Sequence, residues 1–299
     1  MPPPSSIRPT ASAGILCILC GMVCLTISDA TAKWLVGIYP PTQILFLRCA
    51  IALPVIAAVA VALGGRHALR TRHPGVHLLR GAINVVSATA FYASLRYLPL
   101  AESTAISYAA PLCVMLLSVF VLKERVDILR WGAIACGFAG VLLIVRPGTA
   151  SFQAAALLPL ATAVLYAIMM VTARAIGPSE GFLTMAVYIV AAQLVCSATT
   201  LPWFWHTPDP AHWPFFVSVA LFSTLGLSLI TQAFRIAPAS VVAPFDYTGL
   251  LWAALLGWVF WRETPDAVTF IGAAIIVAAG LTIILRETMR PRKKVSPDV

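Results

Sequence analysis

Ten apolar stretches of about 20 residues, joined by short connections, constrain this chain more than any other sequence feature. A helix of about 20 apolar residues is long enough to cross the hydrocarbon core of a bilayer. Cut at Pro, Gly and charged residues, the stretches lie at 11–35, 42–63, 76–97, 100–122, 127–146, 152–175, 181–202, 213–236, 239–261 and 266–286. The sequence therefore predicts an all-α polytopic membrane protein with ten transmembrane helices.

The composition supports the same fold class. Of the 299 residues, 60% are apolar and only 10% are charged, and the mean hydropathy is +0.92. Soluble globular chains are about 45–50% apolar and about 25% charged. So few charged side chains cannot cover the surface of a soluble fold of this size. Because no connection is long enough to hold a soluble domain, the function is expected inside the bilayer.

The distribution of Lys and Arg predicts the orientation of the chain. With the N-terminus inside, fifteen of them fall on the cytoplasmic side and four, Lys33, Arg96, Arg146 and Arg262, fall on the outer side. Lys and Arg collect in cytoplasmic loops. Both termini are therefore predicted to be cytoplasmic. The same rule accounts for the net charge of +9, so no nucleic-acid partner is expected.

The two halves of the chain repeat each other. A shift of 139 residues places LRYLPLAESTAISYAAPL on FRIAPASVVAPFDYTGLL without a gap, and Tyr108 falls on Tyr247. We assign the repeats to 1–148 and 149–299, with five helices in each. Because five is an odd number, the two halves must cross the membrane in opposite directions. Inverted repeats are typical of secondary transporters, whose solute site lies near the midplane between the halves.

Several motifs also indicate a known family. Lys33 lies late in the first helix and Arg48 lies in the second, within FLRCAIALP. An Arg-Tyr-x-Pro turn precedes the fourth helix, and LKERV and WRETP end the fourth and ninth. With ten helices in two inverted halves, the chain resembles the drug/metabolite transporter superfamily, specifically its EamA family, over nearly its whole length.

The resemblance implies a multi-pass protein of the bacterial inner membrane that moves a small-molecule solute by alternating access around a central cavity. EamA members carry amino acids, drugs, vitamins and sugars. In size and loop length the chain is most similar to amino-acid exporters, so the resemblance implies export of neutral or hydrophobic amino acids. Export of another metabolite or drug, such as a nucleoside, a vitamin or a cationic drug, is the alternative, and a channel is a further one.

Polar and aromatic side chains within the spans are candidates for the wall of the cavity, because a polar group in hydrocarbon must face protein, water or substrate. Two helical stripes occupy equivalent positions in the two halves and are expected to face each other; they comprise Asn84, Ser87, Phe91 and Ser94, and Thr224, Ser228, Thr231 and Arg235. Further rings with a polar tip are those of Tyr92, Tyr108, Tyr247 and Trp252. The alternative is that the hydroxyls bond back to backbone carbonyls and serve helix packing.

Two prolines, Pro111 and Pro244, lie early in the fourth and ninth spans. A proline inside a helix removes one backbone hydrogen bond and clashes with the carbonyl of residue i−4. In transporters such helix breaks line the solute site or a gate. The alternative is a simple kink that fits the packing.

The charged residues within the spans are few. Asp246 has no charged neighbour on its own helix, so it needs Arg235, a substrate ammonium group or a proton. Asp29 and Lys33, four residues apart, are expected to neutralise each other. Two more cations, Arg48 and Arg96, could bind a carboxylate.

Other classes of protein lack support in the sequence. The five histidines lie in or near loops, and no pattern of paired metal ligands or nucleophile and base is present. The seven cysteines lie in apolar stretches, where a thiol behaves as a small hydrophobic group. The sequence contains no Walker motif and no filter motif of a potassium channel. We therefore expect no enzymatic activity, no metal, no cofactor and no obligate protein partner besides the lipid bilayer.

Overall fold

The structure is a bundle of α-helices. This computed structural model describes residues 9–65, 70–71, 73–121, 127–149, 152–176 and 182–289. The described helices are α1 (Pro9–Val36), α2 (Pro41–Gly64), α3 (Pro74–Leu95), α4 (Leu100–Ser107), α5 (Ala110–Val121), α6 (Ile128–Val145), α7 (Leu157–Ile176), α8 (Phe182–Ala198), α9 (Leu201–Phe204), α10 (Trp213–Ile236), α11 (Ala239–Asp246), α12 (Thr248–Trp261) and α13 (Ala267–Met289). Two short 3-10 helices precede α7 and α10. No strand occurs within these described ranges.

Most of the expected membrane spans are present. Nine helical stretches in the described part of the chain are long and apolar enough to cross a membrane. The remaining expected span, 181–202, corresponds to α8, whose apolar part Leu183–Ala198 is shorter than the other nine. The structure therefore confirms an all-helical, polytopic architecture, whereas the count of ten crossings stays a prediction.

The fourth and ninth spans are each divided into two helices. α4 ends at Ser107 and α5 begins at Ala110. Pro111 has no N–H to donate to the carbonyl of Ser107, so the helix of α4 cannot continue unbroken. In the second half, Pro244 lies inside α11, and that helix ends at Asp246. Both breaks therefore lie within three residues of a proline that the sequence singled out.

The two halves of the bundle have matching elements. α4 covers residues 100–107 and α11 covers 239–246, so both limits differ by the 139 residues of the sequence repeat. α1 packs against α10, and the equivalent pair α7 and α3 also pack together. α2 packs on α8, and α6 packs on α13. Exchanging the two halves leaves this set of packed pairs unchanged, as a pseudo-twofold relation requires.

α6 and α13 pack closely because glycines face each other. A Cβ atom added to Gly140 would lie 2.8 Å from the carbonyl oxygen of Gly272, and one added to Gly272 would lie 2.8 Å from that of Gly140. Small residues at such a contact let helix backbones approach closely. This close contact joins the last helix of one half to the last helix of the other.

Residues that the charge distribution predicts to lie outside share one end of the bundle, which we call the Lys33 end. Lys33 pairs with Glu263 there, and Arg146 pairs with Asp266. Asp266 also accepts a hydrogen bond of 2.9 Å from the N–H of Thr269 at the start of α13. The Arg146 guanidinium and the Thr269 hydroxyl and N–H hold the pKa of Asp266 well below its usual range. Which end faces the cytoplasm stays a prediction.

Candidate solute site

A cavity of about 460 Å³ lies between the two halves of the chain, and we call it the central cavity. Its wall is formed by Tyr108, Pro111, Val114, Met115, Ser118, Tyr166, Met170, Phe234, Ala243, Asp246, Tyr247, Ile283 and Ile284. Small-molecule sites are mostly apolar and have volumes of about 300–1,000 Å³. The central cavity fits this description, with Asp246 as the acidic group of an otherwise largely apolar wall.

The helix breaks bring two tyrosines together at this cavity. Tyr108 lies between α4 and α5, and Tyr247 lies between α11 and α12. Their ring centroids are 5.2 Å apart, with the rings edge to face. The Tyr108 hydroxyl donates a hydrogen bond of 3.0 Å to the backbone carbonyl of Asp246. The four predicted residues Tyr108, Pro111, Asp246 and Tyr247 therefore line the same cavity.

Asp246 is half-buried in the wall. Among the side chains that the structure describes, no cation forms an ion pair with its carboxylate. The expected partner Arg235 is exposed, and its Nη1 atom lies 3.4 Å from the amide oxygen of Gln232. A carboxylate at this depth without a partner is costly. It is therefore available to a cationic group or a proton that enters the cavity.

The spacing of Asp29 and Lys33 predicts that the two residues neutralise each other. This prediction is wrong, because Lys33 pairs with Glu263 instead. Its Nζ atom lies 2.5 Å from Oε1 of Glu263 and donates a hydrogen bond of 2.9 Å to the carbonyl of Leu98. The other carboxylate oxygen of Glu263 accepts a hydrogen bond of 3.1 Å from the N–H of Leu100. Lys33 pairs with Glu263 because the tertiary structure places the end of α12 next to the last turn of α1. This Lys33–Glu263 bridge joins α1, the start of α4 and the end of α12.

Asp29 instead interacts electrostatically with Arg48 of α2. Nη1 of Arg48 donates a hydrogen bond of 3.2 Å to the hydroxyl of Tyr92. Tyr92 is buried in a hydrophobic cluster with residues of α1, α2 and α10, and Phe91 packs against the same cluster. These residues therefore link helices and do not contribute to the wall of the central cavity.

The stripe on α3 is turned towards α7 and α8. Nε2 of Gln193 donates a hydrogen bond to Oδ1 of Asn84. The hydroxyl of Ser87 donates to the carbonyl of Thr162 at 3.3 Å, and the hydroxyl of Thr162 donates to the carbonyl of Ser87 at 3.1 Å. In this structure, Asn84 and Ser87 therefore hold helices together, because α3 packs directly against α7 and α8.

The stripe on α10 also lies away from the cavity. Ser228 donates to the carbonyl of Thr224, and Thr231 donates to the carbonyl of Leu227, both at 2.7 Å. Such back-bonding satisfies a hydroxyl within its own helix. The two stripes consequently do not face each other across the central cavity. Trp252 packs in a cluster with residues of α1 and α10 rather than on the cavity wall.

Comparison with known proteins places this chain in a family. The model of the EamA-like transporter family matches residues 12–146 and 153–286, one copy in each half. The chain belongs to the EamA family. This EamA protein is a multi-pass protein of the bacterial inner membrane, and its family fits the transport of small metabolites. Members of the family are transporters and not enzymes, which agrees with the expectation from the sequence.

Its curated relatives differ in their solutes. An S-adenosylmethionine uptake transporter of Rickettsia prowazekii is 28% identical over 92% of this chain and 93% of the relative. A riboflavin transporter of Vibrio cholerae is 30% identical over 85% of this chain and 86% of the relative. A pseudopaline exporter of Pseudomonas aeruginosa is 26% identical over 91% of this chain and 95% of the relative. A solved crystal structure at 22% identity has a TM-score of 0.63 and covers 93% of this chain, which shows the shared fold.

Several cavity residues of this EamA protein escaped the sequence analysis. On α5 they follow Pro111 at helical spacing, at Val114, Met115 and Ser118. Positions i, i+3, i+4 and i+7 lie on one face of a helix. That face, together with the proline break, was the signal that could have found them. The wall residues of α7, α10 and α13 carry no comparable signal, because most of them are apolar and residue type does not distinguish them from the packing residues of the same helices.

Proposed function

We propose that this EamA protein is a secondary transporter that exports small metabolites, and that amino acids with neutral or hydrophobic side chains are its main solutes. Transport proceeds by alternating access around the central cavity. The two repeats, 1–148 and 149–299, move relative to each other. The break of each repeat contributes to the same cavity, as expected where the solute site lies between repeats.

The observation that carries this proposal is the position of Asp246. Its carboxylate lines an apolar cavity and has no cationic partner among the described side chains. An amino acid supplies an ammonium group for this carboxylate and an apolar side chain for the surrounding wall. Aromatic rings such as those of Tyr108 and Tyr247 suit a solute with one apolar and one polar end.

The volume of the cavity favours a second candidate, a larger metabolite that also carries a cationic amino-acid end. About 460 Å³ lies within the range that accommodates drug-sized ligands. S-adenosylmethionine, the solute named for the Rickettsia relative, carries an ammonium group, a carboxylate and a sulfonium cation. Both candidates place a cation beside Asp246, and they differ in the size of the rest of the solute molecule.

Reconstitution into liposomes tests the proposal. Vesicles are loaded with one unlabelled solute, and entry of the labelled solute is followed for each of the twenty amino acids, S-adenosylmethionine and riboflavin. We expect counterflow for neutral or hydrophobic amino acids, and none in vesicles without protein. Counterflow of S-adenosylmethionine alone would support the second candidate.

Two results would contradict the proposal. Counterflow of riboflavin without that of any ammonium-bearing solute would show that Asp246 does not select the cargo. A steady ionic current that does not saturate with solute would indicate a channel, because a carrier must complete a conformational cycle for each solute it moves.

A further inference from the structure

A second cavity opens at the Lys33 end of the bundle, and we call it the outer cavity. Its volume is also about 460 Å³, and α1, the end of α3 and the end of α12 form its wall. The polar and aromatic side chains in this wall are Lys33, Trp34, Arg96, Tyr97, Trp261 and Glu263. Three aromatic rings and three charged groups therefore surround one cavity.

The charges in this wall do not cancel. The ammonium group of Lys33 is neutralised by Glu263 at 2.5 Å and lies over the ring of Trp261, 5.3 Å from its centroid. Arg96 is exposed, and no carboxylate among the described side chains forms an ion pair with it. The cavity wall thus has one uncompensated positive charge, and Arg96 carries it.

We propose that the outer cavity is a second solute site, at which Arg96 binds the carboxylate of the solute. A guanidinium group matches a carboxylate with two parallel hydrogen bonds. The rings of Trp34, Tyr97 and Trp261 hold the apolar part of the solute. This inference rests on the proposed function, since it takes the cargo to be an amino acid or a metabolite with an amino-acid end.

The two cavities then divide the recognition of one solute between them. The central cavity offers a carboxylate, Asp246, to the ammonium group, whereas the outer cavity offers a guanidinium, Arg96, to the carboxylate. The Lys33–Glu263 bridge forms part of the wall of the outer cavity. A solute that leaves the central cavity towards the Lys33 end passes this bridge and is held at Arg96 before release.

Arg262 provides a matched control at the same end of the molecule. It is also an exposed arginine, and its guanidinium lies over the ring of Trp258, 5.7 Å from the centroid; it does not belong to the wall of the outer cavity. Replacing either arginine with Gln removes one positive charge from the Lys33 end. A general electrostatic effect would be the same for both variants, whereas binding in the cavity depends on Arg96.

The test measures binding without relying on transport. Gly37→Cys, in the cavity wall, is introduced into a cysteine-free chain in phosphatidylcholine vesicles and labelled with a membrane-impermeant maleimide. Phenylalanine and 3-phenylpropionate, which both carry a carboxylate, should slow labelling, whereas 2-phenylethylamine should not.

Arg96→Gln should raise the concentration of 3-phenylpropionate that gives half-maximal protection tenfold or more, because the lost hydrogen bonds involve two charged groups. Arg262→Gln should change it less than twofold. Labelling at Ile38→Cys, a neighbouring exposed position outside the cavity wall, should not be slowed.

The outcomes separate this inference from the proposed function. Protection that depends on Arg96 supports the outer site even if no amino acid is transported, and the proposed function then fails alone. The outer site is overturned, even if counterflow is normal, if the solutes protect Arg96→Gln and Arg262→Gln equally. It is also overturned if 3-phenylpropionate does not slow labelling. Slower labelling only when phosphatidylglycerol is added would assign Arg96 to a lipid headgroup and would also overturn it.

Discussion

The hydroxyl of Tyr108 donates a hydrogen bond of 3.0 Å to the backbone carbonyl of Asp246, so the helix break of one half is bonded to that of the other. The equivalent hydroxyl, that of Tyr247, is buried and has no hydrogen-bond partner in the described structure. Two tyrosines related by the sequence repeat therefore differ in hydrogen bonding. In a carrier with inverted repeats, such a difference marks one conformation of the cycle, because access changes when one half moves against the other.

The two tyrosines should respond differently to loss of the hydroxyl. Tyr108→Phe removes a hydrogen bond and leaves the Asp246 carbonyl without this donor, so it should lower the free energy of unfolding by about 1 kcal/mol. Tyr247→Phe removes a buried hydroxyl without a partner and should leave stability unchanged or raise it. Unfolding by SDS in mixed micelles measures both. Equal losses would show that the two hydroxyls are equally bonded in solution.

Asp246 should be essential for the recognition of the solute. Asp246→Asn keeps the shape of the side chain and removes the charge, so counterflow should fall tenfold or more, since a hydrogen bond to a charged group contributes about 1.5–3 kcal/mol. Asp209→Asn, a change at an N-cap outside the bundle, serves as the control and should transport normally. Full counterflow by well-expressed Asp246→Asn would remove this carboxylate from the site.

The Lys33–Glu263 bridge should contribute more to stability than the Arg146–Asp266 pair. The side chain of Lys33 is 6% exposed and that of Glu263 is 23% exposed, whereas that of Asp266 is 52% exposed. Glu263→Gln leaves a buried ammonium group without a counter-charge, which costs about 3 kcal/mol. Asp266→Asn breaks an exposed pair, and its cost should stay below about 1 kcal/mol. The same SDS titration measures both variants, and equal costs would contradict the burial of the bridge.

Two glycines in membrane helices should differ in their tolerance of alanine. A Cβ atom on Gly81 would lie 3.0 Å from the backbone carbon of Ala192 in α8, whereas a Cβ on Gly132 would meet nothing within 4 Å. Gly81→Ala forces α3 and α8 apart and should cost about 1–3 kcal/mol. Gly132→Ala should be neutral or stabilising, because Ala has the higher helix propensity. Similar melting temperatures for the two variants would show that α3 and α8 are not in close contact.

The orientation of the chain is tested by a reporter. Because fifteen Lys and Arg residues lie on the predicted cytoplasmic side and four on the outer side, a periplasm-active alkaline phosphatase fused after Val299 should be inactive. The same enzyme inserted after Asp209, in the connection before α10, should be active. Activity after Val299 would contradict the predicted cytoplasmic C-terminus.

The features that depend on one local property of the chain were predictable from the sequence. Apolar length determines which segments are helices in a bilayer, so the limits of most spans agree with the structure. Pro111 and Pro244 lack the N–H of a helical residue, so the position of the helix breaks followed from residue type. The repeat placed Tyr108 and Tyr247 in equivalent positions, and both lie on the wall of the central cavity.

Only the tertiary structure decided which polar groups meet. In an apolar bundle every face of a helix is compatible with burial, so periodicity does not distinguish the face that packs on a helix from the face that lines a cavity. This is why Asn84 and Ser87 bond to neighbouring helices. It is also why Lys33 pairs with Glu263, which is 230 residues away in sequence, and not with Asp29, one helical turn away. The packing of α1 beside the end of α12 brings those two charges together, and no local property of either segment encodes that contact.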